Sequence, residues 1–167
     1  MADDNSEIPA NSDFITESYR AQIKSLIEKE SQRRNEINHS PEEITQLLSL
    51  SLVKLAEEND NQLVPALMAR LGPVRSALDG HGGSIVVDLV EFTSSIEGKK
   101  MIQLVLNLDG ACISCGAAPG TLKGIQDDLL IDEEVKSVCF SSSMLQWFDE
   151  LQREFVLKHG GVEFIDI

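Results

Sequence analysis

The stretch from Met101 to Asp109 constrains the fold of this chain most. Apolar residues recur there at every second position, and polar residues occupy most of the positions between them. The apolar positions are Ile102, Leu104, Leu106 and Leu108. A period of two puts these side chains on one face of a β-strand. We therefore expect a sheet with one covered face.

The segments around this strand predict the rest of a small core. Ile85–Phe92 is rich in β-branched residues and reads as a strand, and the polar loop Thr93–Lys100 is short enough for an antiparallel hairpin. Thr121–Leu130 repeats apolar residues with a helical period, and Val135–Phe140 is a third strand. The predicted class is α+β: a small antiparallel sheet covered on one face by helices, with α-β-β-α-β order, preceded by a helical N-terminal region.

Three helices are expected before this core. The first spans Phe14–Asn38 and has a narrow apolar stripe suited to lying on the core or on a partner. The second starts at Pro41, where Ser40 and Glu43 form a capping box, and runs to Glu58. The third spans Leu63–Leu78 and kinks at Gly72–Pro73.

A further helix and a short strand are expected after the core. Ser143 and Gln146 match a capping box, and the helix that they open directs four apolar side chains inward. These are Leu145, Phe148, Leu151 and Phe155. A last strand covers Val162–Ile167. The predicted division is a disordered acidic tail at 1–13, a helical region at 14–61, the core domain at 62–140 and a C-terminal extension at 141–167.

Composition narrows the class of partner. The 167 residues are 42% apolar and carry a formal net charge of −14. Nucleic acid and anionic membranes would be repelled by that charge, so we expect neither as a partner. The acidic start lacks the basic and apolar stretches of a signal peptide, and a cytoplasmic location is expected. Three cysteines do not indicate a disulfide scaffold in that compartment.

The candidate chemistry lies in Cys112 and Cys115, which follow the clearest strand and precede a helix. Glycine and alanine surround the pair, leaving room for a bulky group and exposing backbone N–H donors. Thiolates at this spacing can bind iron or an iron–sulfur cluster, and the N-terminus of the following helix favours negative charge. A cluster usually needs four ligands, and one chain offers two. The count predicts a homodimer with the cluster between two chains, or ligands borrowed from a partner.

Two other chemistries remain open for the same pair. A CxxC at a helix start suits a thiol–disulfide oxidoreductase, although an α-β-β order precedes the pair here, unlike the β-α-β order of thioredoxin-like folds. Structural zinc needs four protein ligands, for which His81 is a candidate third. Cys139 lies within a strand and is expected to be a packed small residue. No hydrolase or phosphate-binding pattern is present, and we expect a protein that is not an enzyme.

The cysteine segment resembles the NifU-type C-terminal domain of iron–sulfur cluster carriers and scaffolds. The likeness covers roughly Val74–Phe140, under half of the chain. It is most specific at GAC from Gly110, at Cys115, and at TLK from Thr121, with Val74-Arg75 and Leu78 in the lead-in helix. The resemblance implies that Cys112 and Cys115 bind a cluster, 4Fe–4S or else 2Fe–2S, across a homodimer. It also implies a role in receiving the cluster from donor machinery and delivering it to apo-proteins.

Overall fold

The computed structural model describes residues 11–80, 82–109 and 118–167, and its helices and strands form an α+β fold. Five helices come first: α1 Asn11–Asn38, α2 Pro41–Ser49, α3 Leu52–Glu57, α4 Leu63–Ala69 and α5 Pro73–Gly80. The remaining elements are β1 Ser84–Ser94, β2 Lys100–Asp109, α6 Ala118–Leu129, β3 Val135–Ser141, a 3₁₀ helix Ser142–Trp147, α7 Glu150–His159 and β4 Phe164–Ile165. The α+β class is confirmed, and so is the α-β-β-α-β order from α5 to β3.

The four strands form one sheet in the order β1-β2-β3-β4. β1 and β2 pair as the predicted antiparallel hairpin, in which Ser84 faces Asp109. The prediction of an antiparallel sheet is wrong beyond that hairpin, because β3 runs parallel to β2, and β4 runs parallel to β3. The physical reason is α6, which carries the chain back along the sheet so that β3 starts at the same end as β2. β2, α6 and β3 are therefore a β-α-β unit.

One face of the sheet packs on the helices, as the alternation predicts. The four apolar side chains of β2 that define the alternation are buried in the core. They meet Leu52 of α3, Leu67 of α4 and Leu122 of α6 in one continuous cluster. On the other side of β2, Gln103 and Asn107 are only partly buried. The division of the chain into domains stays a prediction, but residues from three of its four segments share this one core.

The N-terminal helices differ from the prediction at their breaks. The second predicted helix is two helices, because Leu50 is extended and Ser51 caps α3 by accepting a hydrogen bond from the Lys54 amide. The third is likewise divided before Pro73 into α4 and α5. α1 begins at Asn11, so the predicted tail is wrong for its last three residues; residues 1–10 lie outside the described part of the chain. Within that part, no helix has the length and the apolar composition needed to cross a membrane.

The C-terminal helix starts later than predicted. The capping box is formed by Asp149 and Gln152 rather than by Ser143 and Gln146, and a 3₁₀ helix occupies the earlier position. Phe148 is buried as predicted, whereas the inward placement of Leu151 and Phe155 is wrong because both are exposed. In α7, Val156 is the residue that is buried in the core instead.

Candidate functional site

The two predicted ligands, Cys112 and Cys115, lie in the segment 110–117, outside the described residues. His81, the third ligand considered for zinc, also lies outside them. The elements on both sides of the cysteine segment are described: β2 ends at Asp109 and α6 begins at Ala118. The site can therefore be described through its two flanking elements, β2 before the cysteine segment and α6 after it.

The cysteine segment leaves the sheet at the end where three strands finish. Because β2, β3 and β4 run parallel, their C-terminal residues share that end, and β1 starts there opposite Asp109. Asn107 connects neighbouring elements at this end: its Nδ2 donates to Asp88 Oδ2 at 3.2 Å and to Ser143 Oγ at 3.3 Å. Ser143 is also 2.8 Å from the hydroxyl of Ser141. The sequence gives no periodic signal for these polar contacts, and they were not predicted.

α6 follows the cysteine segment, and one face of this helix packs on the core. Leu122, Ile125 and Leu129 are fully buried, as the helical period predicts. Gly124 allows α6 to approach α5 closely, because a Cβ built there would lie 2.6 Å from Cγ2 of Val74. α6 begins directly after the cysteine segment in sequence, and a helix N-terminus favours anionic groups such as thiolates.

Lys123 does not supply a free positive charge to the site. Its Nζ donates to Asp127 Oδ1 at 2.7 Å and to Gln126 Oε1 at 3.2 Å, both on α6. The basic residue within the family-like TLK motif is therefore engaged along its own helix.

Cys139 is a half-buried thiol on β3 rather than a fully packed one. It lies on β3 opposite Val105, and its Sγ is 3.8 Å from Glu163 Oε2. Burial, followed by the neighbouring Glu163 charge, raises the pKa of the Cys139 thiol. A metal ligand needs the thiolate, which these surroundings disfavour. The raised pKa and the neighbouring carboxylate both argue against Cys139 as a third ligand.

The described histidines and acidic residues do not form a metal site among themselves. His39 Nε2 lies 2.9 Å from Asp79 Oδ2, and the ring of His159 packs near Phe155 at 5.5 Å between centroids. Across residues 11–80, 82–109 and 118–167, no three histidine, cysteine or acidic side chains are grouped so as to hold a metal ion.

A groove of about 700 Å³ lies at the opposite end of the sheet, where β3 begins. Its acidic side chains are occupied with structural contacts. Asp132 Oδ2 is 2.6 Å from Arg70 Nε, and Glu134 accepts hydrogen bonds from Ser51 Oγ and the Val53 amide. These groups hold α3 and α4 to the turn before β3.

Comparison with known proteins adds no relative. The chain matches no protein-family model, and no significant similarity was found to a curated protein or to a solved structure.

Proposed function

We propose that this protein is an iron–sulfur cluster assembly protein of the NifU type. In this proposal Cys112 and Cys115 bind a cluster, 4Fe–4S in the first instance, and a second copy of the chain supplies the other two thiolates. The cluster is cargo that is received from donor machinery and passed to apo-proteins. The protein acts as a carrier or scaffold and not as an enzyme.

The observation that carries the proposal is the order of elements around the cysteine pair. A helix, a hairpin, the cysteine segment, a second helix and a third strand follow one another from Pro73 to Ser141. This is the order that the resemblance implies. The start of α6 adds electrostatic support, because a helix N-terminus stabilises the anionic form of nearby thiols.

A reducing compartment belongs to the same proposal. Two unpaired thiols that must remain available as ligands are preserved where glutathione and thioredoxin keep cysteines reduced. We therefore propose a cytoplasmic location.

Anaerobic reconstitution with ferrous iron and sulfide tests the proposal. We expect brown protein with charge-transfer absorption, and its loss in Cys112→Ser and in Cys115→Ser. Cys139→Ser is the matched control and should load as much iron as the wild type. Colourless wild-type protein, or a requirement for Cys139, would contradict the assignment.

A thiol–disulfide oxidoreductase is the second candidate, and one observation favours it. The pair lies between β2 and α6 of a β-α-β unit with parallel strands, which is the setting in which redox CxxC motifs occur. This reading predicts colourless protein that cycles between dithiol and disulfide and turns over a disulfide substrate. Loss of turnover in Cys112→Ser, with no iron uptake by the wild type, would select it over the carrier.

A further inference from the structure

β1 lies at one edge of the sheet. Among the described strands it pairs with β2 alone, and the backbone groups on its other side point away from the sheet. The strand spans Ser84–Ser94, and its register with β2 is regular from Leu89 to Ser94, after an irregularity at Asp88. Such a row of backbone N–H and C=O groups is a template on which a further extended segment can pair.

A groove of about 470 Å³ runs beside this edge, between β1 and the turn that joins α3 to α4. Apolar side chains line it from both sides: Val64 of α4, and Leu89, Val90 and Phe92 of β1. Leu89 and Phe92 are 37% and 45% exposed. An extended segment that pairs with β1 therefore gains apolar contacts for its side chains as well as backbone hydrogen bonds. We call this side of β1, with the groove beside it, the β1 edge groove.

Charge in the groove favours a basic segment. Asp60 and Asp88 line it, and their carboxylates accept hydrogen bonds from neutral donors, a backbone amide at 2.8 Å and Asn107 Nδ2 at 3.2 Å. Glu57, the third acidic residue of the lining, pairs with Lys100. Within the described part of the chain, neither Asp60 nor Asp88 forms an ion pair with a lysine or arginine. Two carboxylates without a cation thus complement lysine or arginine in an incoming segment.

The same charges disfavour a second copy of the chain at this edge. β1 carries two acidic residues, Asp88 and Glu91, and no basic residue. Two such edges in contact would bring four carboxylates together without a cation from either strand, and like charges facing one another across strands are destabilising. Each chain also has a net charge of −14. The occupant that fits the edge is therefore a basic segment of a different protein.

We propose that the β1 edge groove binds an extended, basic segment of a partner protein by strand addition. The segment pairs its backbone with β1 from Leu89 to Ser94 and places apolar side chains near Val64 and Phe92. A lysine or arginine of the segment lies beside Asp60 or Asp88. The inference concerns α3, α4 and β1, and it does not depend on the proposed cluster.

A short peptide of alternating valine and lysine, acetylated and amidated at its ends, tests the inference with the full chain. Fluorescence anisotropy of a labelled peptide measures affinity, and nuclear magnetic resonance measures hydrogen exchange of the β1 amides. We expect the peptide to slow exchange at least about tenfold at the amides of Leu89–Ser94 that face away from β2. A peptide with glutamate in place of lysine should bind at least about tenfold more weakly. A lysine peptide with N-methyl groups on its central residues should lose at least as much affinity, because its backbone can no longer donate to β1.

The double variant Asp60→Asn/Asp88→Asn removes both charges and keeps both oxygen acceptors. We expect it to bind the lysine peptide about threefold to tenfold more weakly than the wild type, with a smaller dependence on salt. The matched control is Glu17→Gln/Glu28→Gln, which removes two exposed charges from α1 and should bind like the wild type. Far-ultraviolet circular dichroism verifies that each variant is folded.

Unchanged exchange of the β1 amides in saturating lysine peptide, or equal binding of the lysine and glutamate peptides, would overturn the inference. Equal losses of affinity in the Asp60→Asn/Asp88→Asn variant and in the control would also overturn it, because the peptide would then respond to net charge alone. Protection of the β1 amides that rises with protein concentration in the absence of peptide would assign the edge to a second copy, contrary to the proposal.

Discussion

The two ends of the sheet are built differently. Where β3 begins, charged groups join elements that are distant in sequence: Arg70 to Asp132, Lys99 to Glu133, and Glu134 to the start of α3. Where β2 ends, the described contacts between neighbouring elements are mostly hydroxyl and amide hydrogen bonds around Asn107 and Ser143. The first end is held together by these charged groups, and the second borders the segment that carries the proposed cluster ligands.

The difference follows from the cost of burying charge. Arg70 is largely buried, and its guanidinium donates to Asp132 and to the carbonyls of Ala66 and Leu50. A buried cation with all these acceptors tolerates little movement, because each lost acceptor leaves a charge without compensation. Weak, part-exposed hydrogen bonds can be exchanged for water at small cost.

The largest loss of stability is expected from Arg70→Met, which removes the central cation at the end of the sheet where β3 begins. Asp132 and the carbonyls of Ala66 and Leu50 lose their donor, and we expect a loss of about 3–5 kcal/mol in the free energy of unfolding. Arg153→Met, at the other end, should cost at most about 1 kcal/mol, because Arg153 is exposed and bonds mainly one carbonyl. Urea unfolding measures the stability of both variants. Equal losses of unfolding free energy would show that the two ends of the sheet contribute alike to stability.

The next largest change in stability is expected in α6, the helix that runs between the two ends of the sheet. Gly124→Ala should destabilise the protein by about 1–3 kcal/mol, since its Cβ would overlap Val74. Gly120→Ala on the same helix meets no atom within 4 Å and should stabilise it by about 0.5–1 kcal/mol. Adding Val74→Ala to Gly124→Ala should recover part of the loss. A Gly124→Ala protein as stable as the wild type would show that α5 and α6 are not tightly packed.

Sequence reasoning succeeded where the signal was local and periodic. The alternation in β2 predicts its buried face, and the helical spacing of Leu122, Ile125 and Leu129 predicts the buried face of α6. Both patterns depend on only a few neighbouring residues. The cysteine pair could be selected in the same way, from its spacing and its glycine-rich setting, although its assignment stays a prediction.

Sequence reasoning failed where a non-local contact decided between local alternatives. Nothing in the Val135–Phe140 stretch itself indicates whether it pairs parallel or antiparallel with β2; the path of α6 decides that. Two capping-box patterns also compete, and Asp149 prevails because a helix that starts there can bury Val156 while Phe148 packs ahead of it. The exposure of Leu151 and Phe155 is a consequence of that choice.

The thiol of Cys139 on β3 is expected to react differently from the thiols of Cys112 and Cys115 in the cysteine segment. The pKa of Cys139 is raised, so less of its thiolate is present at pH 8, and iodoacetamide should modify it more slowly in the folded protein than in urea. Glu163→Gln removes the nearby negative charge and should speed this modification severalfold, without abolishing the effect of burial. The proposed site predicts faster modification of Cys112 and Cys115 in the metal-free protein. Peptide mapping by mass spectrometry measures all three rates, and a Glu163→Gln rate at or below the wild-type rate would contradict the assigned cause.

The smallest effect is expected at the end where β2 finishes. Asn107→Ala removes the donor to Asp88 and Ser143, and because these contacts are part-exposed we expect a loss of about 0.5–1 kcal/mol in unfolding free energy. Ser143→Ala should cost no more, and the double variant should lose less than the two single losses added together, since they share one contact. The lifetime of the reconstituted cluster, measured by the decay of its absorbance, should nevertheless be shorter in Asn107→Ala. The reason is that the hydrogen bond from Asn107 to Ser143 joins the C-terminal extension to β2, the strand that precedes the cysteines. A small stability change with a large change in retention would show that this end serves the ligand. A large stability change would instead mean that both ends of the sheet hold the fold alike.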